Sequence, residues 1–349
     1  MTFSANDLRY MRRALQLAAS GRGHVSPNPM VGAVIVAPDG RMIGEGWHRR
    51  FGGPHAEVNA VHSVAEADRA LMPESTIYVT LEPCSHYGKT PPCALLLRET
   101  GFRRVVVGAG DPNPKVAGRG IAMLREAGIQ VDEGCLEKEC CELNIKFMTA
   151  HRLRRPYITL KWACSADGYM DACRHDGGKA YRFSDARGTQ IVHSLRAVHD
   201  AIAVGASTAL LDNPGLDTRF FDGASPRPVL FDRHCLVAED SCRIASDPRL
   251  LRIDGGKPLE ETLHEMYAAD GITSLLVEGG ASLLRSFISA GLWDEARVEV
   301  NPVVLGDKGR AEAPALPCQP VGMTATTRTR IFMYTNQNST PRRRTGLAS

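Results

Sequence analysis

Apolar and polar positions along the chain fall into two successive series in which short apolar runs alternate with stretches of helical period. Leu8, Met11 and Leu15 recur at helical spacing, and Ser4 with Asp7 has the form of a capping box, so a first helix is predicted there. Residues 30–37 form a short apolar run. Pro38-Asp39-Gly40 is a turn signal, so a hairpin to residues 41–47 is predicted. Helices are predicted from His55 to Val64, from Cys93 to a closing Gly101, and over 119–128. Strands are predicted over 76–80, 103–108 and 129–134, the last at a sheet edge. This alternation predicts an α/β layer with a mainly parallel sheet.

The pattern breaks near residue 150. Residues 151–156 are basic and end in Pro156, which places a domain boundary there. A second α/β series follows, with strands over 157–163, 201–205 and 273–278. Ser184 is predicted to cap a helix running to His199. Gly279-Gly280 then leads into a helix over 281–291. The predicted division is a first domain over 1–150, a second over 156–335, and a disordered polar, basic tail over 336–349.

Composition narrows the class. A chain of 349 residues exceeds one average core and suits two domains. Hydrophobic content of 43% with 23% charged residues is that of a globular protein. The net charge of +3 gives no reason to expect a long polyanion, and 6% aromatics do not suit a base-stacking groove. No nucleic-acid partner and no membrane span are expected. The N-terminus is not a secretory signal, because charges interrupt it. Ten scattered cysteines do not suggest a disulfide scaffold, so a reducing cytoplasm is the expected location. Cys140 and Cys141 are expected to be inert thiols on a helix.

The chemistry concentrates in Pro54-His55-Ala56-Glu57, Pro83-Cys84 and Pro92-Cys93. Zinc favours imidazole and thiolate, and three protein ligands leave a fourth position for water. The ion lowers that water's pKa, and a carboxylate beside the metal can then carry protons. Glu57 is two residues from His55, roughly 200° around a regular helix. The two can converge only at a helix start, where Pro54 places them. Pro91-Pro92 do the same for Cys93, and a helix start favours thiolate. His-x-Glu with Pro-Cys-x-x-Cys is the known signature of zinc deaminases. Here eight residues separate the two cysteines. A structural zinc site would need a fourth protein ligand, and none stands at matching spacing.

The wider sequence carries a resemblance. SPNPMVGAVIV, HAEVNAV, LEPCSHYGKTPPC and DPNPKVAGRG, in this order, closely resemble the deaminase half of the bifunctional riboflavin-biosynthesis deaminase/reductase family, where the long Cys–Cys spacing is normal. The resemblance covers about residues 5–150 and continues more weakly from 156 to about 310. It implies a cytidine-deaminase-like α/β/α first domain and a dihydrofolate-reductase-like α/β second domain. It also implies hydrolytic deamination of 2,5-diamino-6-ribosylamino-4(3H)-pyrimidinone 5′-phosphate, then reduction of the ribosyl group to ribityl by NADPH. By resemblance His55, Cys84 and Cys93 hold zinc and Glu57 is the acid/base. Asn28, His48, His86, Lys89, Asp111 and Asn113 would contact this small phosphorylated pyrimidine. Asn28 and Asn113 could equally serve turns beside Pro.

In the second half the matching pieces are LKWACSADG, SLRAVHDAIAVGASTALLDNPGLDTR and LLVEGGASLL. They imply that Lys161, Arg196, Asp212, Leu216, Arg219 and Glu278 meet the substrate, and that Ala163, Thr208, Asp212 and the loop from Gly280 meet NADPH. Asp212 falls where the two ligands would adjoin. One segment departs. Where the family has a Gly-Glu-Ser-x-Trp-like stretch, this chain reads GGKAYRFS, with Arg182 at the usual Trp position, and the upstream DACRHDGG is unusually polar. Arg182 is a candidate phosphate contact beside the cofactor. The alternatives left open are a deaminase with a degenerate second domain and a nucleic-acid base deaminase. A homo-oligomer, dimer or higher, is expected.

Overall fold

The computed structural model describes residues 2–87, 91–113, 116–174, 178, 180–337 and 339. It divides into two compact units, Met1–Leu153 and Arg154–Ser349.

The first unit begins with α1 (Ala5–Ala19), whose capping box is formed: the Ser4 hydroxyl accepts the Asp7 N–H and the Asp7 carboxylate accepts the Ser4 N–H. The chain continues through β1 (Gly32–Val36), β2 (Met42–Trp47), α2 (Ala56–His62), β3 (Thr76–Leu81), α3 (Cys93–Thr100), β4 (Arg104–Ala109), α4 (Arg119–Glu126), β5 (Gln130–Glu133), α5 (Glu137–Leu143) and α6 (Ile145–Leu153). The five-stranded sheet has the order β2-β1-β3-β4-β5. β3, β4 and β5 run parallel, but β1 is antiparallel to both of its neighbours. The sheet is therefore mixed rather than mainly parallel, because the tight hairpin reverses the chain before the crossovers begin.

Alternation explains the layering. Ala33, Ile35, Ile77, Val79, Val105 and Val107 face one core, shared with Ala56 and Ala60 of α2, Leu97 of α3 and Leu124 of α4. Val34, Tyr78 and Val106 face the other, against Met11 and Ala14 of α1, Cys140 of α5 and Met148 of α6. Both faces are covered, so the strands are apolar on both sides. Gly32 carries no side chain because a Cβ there would lie 2.0 Å from the Ala14 carbonyl oxygen of α1. Cys140 is buried and Cys141 half-buried. α6 runs on through His151 to Leu153, so the basic stretch begins inside a helix.

The second unit contains β6 (Tyr157–Cys164), β7 (Tyr169–Ala172), α7 (Ala186–Ala197), β8 (Ala201–Gly205), α8 (Ala206–Asp212), β9 (Arg227–Phe231), β10 (Leu251–Ile253), α9 (Leu259–Ala268), β11 (Ser274–Val277), α10 (Ala281–Ser289), β12 (Glu295–Val300), β13 (Gly309–Glu312), β14 (Gly322–Ala325) and β15 (Arg330–Thr335). Its eight-stranded sheet has the order β10-β9-β8-β11-β6-β12-β15-β14. It is parallel as far as β12 and antiparallel beyond. β7 and β13 pair separately as a short ribbon. A buried ion pair, Arg155 to Asp294 at 2.7 and 2.9 Å, ties the start of β6 to the start of β12. Asp294 also accepts the Ile158 N–H.

One cap differs from expectation. Asp185, not Ser184, caps α7, accepting the Gly188 N–H at 2.7 Å. The Ser184 hydroxyl instead donates to the buried Glu299 of β12. Either residue type can cap, and this distant partner decides which one does. Most of the tail predicted to be disordered lies outside the described residues.

Candidate functional site

In the first unit the candidate side chains gather at the carboxyl ends of β3 and β4 and the first turns of α2 and α3, the usual crevice of an open α/β sheet. His55 is the N-cap of α2, with extended backbone, so its ring leaves the helix before regular rotation begins. Cys93 opens α3 after Pro92. Cys84 lies in the loop after β3, anchored where its carbonyl accepts the Ala94 N–H at 3.1 Å. His55 Nδ1 lies 3.6 Å from Cys84 Sγ and 3.3 Å from Cys93 Sγ. The three donor atoms lie within 4.8 Å of one another.

Electrostatics prepares the thiols unequally. The Cys84 sulfur accepts from the Cys93 thiol, as well as the Cys93 N–H at 3.3 Å, and lies beside His55. These partners overcome burial and pull its pKa down to about 4. Cys93, bonded to that sulfur and buried, is pushed well up. His55 is raised by its contact with Cys84. Cys84 is thus the readier thiol to ionise, and a divalent cation would displace the remaining proton from Cys93 on binding. Two sulfurs and one imidazole nitrogen on converging elements are the donor set zinc prefers.

Glu57, in the first turn of α2, is 3% exposed. Burial raises its pKa, and it lies within hydrogen-bonding reach of the Cys93 thiol. His48 is buried with Nδ1 3.0 Å from the Pro54 carbonyl oxygen. A carbonyl only accepts, so that nitrogen carries the proton and Nε2 accepts from Asn28 Nδ2 at 3.2 Å. The His48 ring meets His55 edge-on at 5.4 Å. Asn28, His48 and His55 thus form one connected group, with Glu57 within electrostatic reach of His55.

Asp111 and Asn113 lie beyond β4, where Asp111 accepts the Asn113 N–H at 2.8 Å. Burial, with Glu82 and Cys84 nearby, lifts the Asp111 carboxyl to about 6. His86 is exposed and close enough to Asp111 to oppose that rise. Lys89 lies outside the described residues.

Glu82 is a residue that the motif contained but chemistry alone did not single out. Its buried carboxylate accepts the N–H groups of Asp111 at 3.3 Å, Gly118 at 3.0 Å and Gly120 at 3.1 Å. A Cβ on Gly120 would lie 2.0 Å from the Pro83 carbonyl oxygen. Glu82 and Gly120 together lock the start of α4 onto the loop that carries Cys84. The only advance signal was a carboxylate directly before Pro83-Cys84.

The second unit also gathers its charged residues at strand ends. Arg196 of α7 forms a two-pronged pair with Glu278, just after β11, at 3.1 and 2.7 Å, and also donates to the Asp217 carbonyl oxygen at 3.0 Å. Burial would raise the Glu278 pKa, but Arg196, Lys161 and His193 lower it. Lys161 and Ala163 share one face of β6, and Leu216 is buried in left-handed backbone. Arg219 pairs with Asp217 at 3.1 Å. His193 is a further residue of this cluster, within electrostatic reach of Arg196, Asp217, Arg219 and Glu278 and edge-on to Phe220 at 4.9 Å.

Gly280 is the N-cap of α10, and a Cβ there would stand 3.2 Å from Thr208 Oγ1. That bare helix start beside a hydroxyl fits a phosphate-bearing cofactor. Asp212, the last residue of α8, is held by Arg174 at 2.5 Å. Arg182 is exposed and has no hydrogen bond or ion pair among the described residues, so the structure does not draw it into this cluster.

Comparison with known proteins agrees with this geometry. Residues 4–109 match the cytidine and deoxycytidylate deaminase zinc-binding region, and residues 156–331 match the RibD C-terminal domain. The riboflavin biosynthesis protein RibD of Actinobacillus pleuropneumoniae is 36% identical over 86% of this chain and 85% of its own length. That of Bacillus amyloliquefaciens is 38% identical over 85% of each. Among solved structures, RibD of Acinetobacter baumannii superposes with a TM-score of 0.85 at 32% identity, covering 94% of this chain and 98% of that one. A Thermotoga maritima diaminohydroxyphosphoribosylaminopyrimidine deaminase/5-amino-6-(5-phosphoribosylamino)uracil reductase superposes with a TM-score of 0.81 at 33% identity, with the same coverage.

Fold and site therefore define a two-part enzyme, a zinc-binding deaminase joined to a reductase. The chain belongs to the RibD family of riboflavin biosynthesis proteins. Zinc and NADPH are the cofactors of its two halves. Among the described residues no helix is long and apolar enough to cross a membrane.

Proposed function

We propose that the first unit deaminates 2,5-diamino-6-ribosylamino-4(3H)-pyrimidinone 5′-phosphate and that the second reduces the ribosyl group of the product to ribityl with NADPH. The observation that carries the first step is the convergence of His55, Cys84 and Cys93 beside the buried Glu57. Zinc, when bound, acts as a Lewis acid that makes water nucleophilic near neutral pH. Glu57 takes the proton released as water attacks the amino-bearing ring carbon. It passes protons to the ring nitrogen and to the departing amino group, so that C–NH2 becomes C=O and ammonia leaves. Asn28, with its amide fixed on His48, and Asp111 with Asn113 read the pyrimidine edges, while His86 and Lys89 meet the phosphate.

In the second unit Arg196, Asp212, Arg219, Lys161, Leu216 and Glu278 receive the sugar phosphate, with Asp212 where substrate and cofactor adjoin. Ala163, Thr208, Asp212 and the α10 start at Gly280 receive NADPH, whose nicotinamide supplies the hydride. The protein acts on a small molecule, in the cytoplasm, as a homo-oligomer and without nucleic acid.

The test is incubation of zinc-loaded protein with the diaminopyrimidinone ribosyl phosphate, with and without NADPH, following ammonia and NADPH separately. Ammonia release without NADPH, and NADPH oxidation only after deamination, is the expected result. Ammonia alone would leave the second unit without its assigned activity. Neither signal from intact, zinc-loaded protein would overturn the substrate.

A further inference from the structure

Arg174, just after β7, has a defined place in the fold. Arg174 Nε donates to Asp171 Oδ2 at 2.7 Å, Nη2 donates to Asp212 Oδ1 at 2.5 Å, and Nη1 donates to the Leu211 carbonyl oxygen at 3.2 Å. The other Asp171 oxygen, Oδ1, accepts the Tyr181 N–H at 3.0 Å. Asp171 therefore holds both ends of the 174–181 stretch, and Arg174 carries that knot across to the end of α8. The Arg174 side chain is 17% exposed and that of Asp212 is 31% exposed, so the pair is partly shielded from water.

We propose that Arg174 is a positioning and charge-cancelling residue of the reductase half, fixing the Asp212 carboxylate and neutralising it where the cofactor and the sugar phosphate would adjoin. This rests on the placement of Asp212 given under Proposed function. Both ligands are anionic. An uncompensated carboxylate between them would repel each, and a swinging one could not hold a fixed hydrogen bond to either. The guanidinium answers both needs, because its planar fork sets the Asp212 rotamer while the Leu211 carbonyl and Asp171 set the guanidinium. The chain thereby turns an unusually polar stretch into a structural support of its cofactor site.

The experiment uses the full-length, zinc-loaded protein and its variants Arg174→Ala, Arg174→Lys, Asp212→Asn and the double variant Arg174→Ala/Asp212→Asn. Far-UV circular dichroism and thermal unfolding check folding. NADPH binding is read by cofactor fluorescence at low and high salt, and KM and kcat are read for NADPH oxidation on the deaminated product. Arg174→Ala should weaken NADPH binding on the order of tenfold at low salt, with KM moving more than kcat and the loss shrinking as salt is added. Arg174→Lys should recover part of the affinity. The double variant should bind better than Arg174→Ala, because the exposed charge is gone. Binding of Arg174→Ala within about twofold of wild type would overturn the proposal. So would a double variant as weak as Arg174→Ala, which would make the residue a simple loop brace. A wild-type chain that binds no NADPH would overturn the reading of the second unit, and this proposal with it.

Discussion

The two sites solve opposite electrostatic problems. In the first unit His55, Cys84 and Cys93 bring their ligand atoms within 4.8 Å of one another and are held chiefly by contacts among themselves. In the second unit several charged groups are already paired: Arg196 with Glu278, Arg219 with Asp217, and Asp212 with Arg174. A site for a cation concentrates donors and leaves their attraction unspent. A site for anionic ligands keeps its cations in ion pairs, which hold their geometry but must be loosened or shared when a phosphate arrives. The first arrangement favours tight, constitutive loading, and the second favours exchange.

That contrast makes the halves separable, and the largest effect should show it. Glu57→Gln should retain zinc, measured by metal content, and slow ammonia release by about 10²–10⁴-fold. NADPH oxidation on supplied deaminated product should be unchanged. Retained deamination would remove Glu57 from proton transfer.

Next comes the frame of each unit. Arg155→Ala leaves Asp294 buried and unpaired, and should cost about 3–5 kcal/mol in urea unfolding. A loss under about 1 kcal/mol would mean that water reaches Asp294.

Asp212→Ala should slow NADPH oxidation on the order of tenfold while ammonia release is spared. Loss of both activities in a folded protein would break the contrast, because the sites would then not be independent.

The first unit has a pH-dependent anchor of its own in Asp7. Asp7 is buried. Burial would raise its pKa, but hydrogen bonds from Arg104, Ser4 and Tyr78 bring it down to about 2. A carboxyl depressed in the folded state stabilises above its unfolded value of about 4 and loses that contribution as pH falls toward 2. Asp7→Asn should flatten the stability profile across that window, followed by urea midpoints from pH 5 to 2. An unchanged slope would mean that other carboxylates carry the acid sensitivity.

The smallest effect is Ser4→Ala, which removes one half of the α1 capping box. It should lower stability by about 1 kcal/mol with both activities intact.

The sequence showed these two regions with unequal clarity. Around the metal, the elements that hold the ligands begin at prolines, and proline marks a helix start by its own covalent geometry. His55 and Cys93 were therefore legible as neighbours of helix starts before any coordinates. Glu82 was not, because its role depends on backbone N–H groups 29 to 38 residues downstream. Ser184 misled because its preference for capping was real, but Glu299 lies 115 positions further on. The direction of β1 was obscured for a related reason: an apolar run fixes burial on both faces, not whether the neighbouring strand is parallel. In the second half, β12 left a period-two trace in Ala296, Val298 and Val300, but the polar β13 and β14 left little. Arg174 was marked only by the polarity of its stretch: Asp171 is three positions away, but Asp212 lies 38 positions further on.

The joint between Pro83 and Gly120 sets a boundary for anyone who would retool the pyrimidine pocket. With no room for even a methyl group at Gly120, and with Glu82 stitched to three backbone amides, that corner is closed to library design. Diversity for a new substrate is better placed at Asn28 and His48, the proposed pyrimidine contacts, because they join through one side-chain hydrogen bond that another pair of residues could replace.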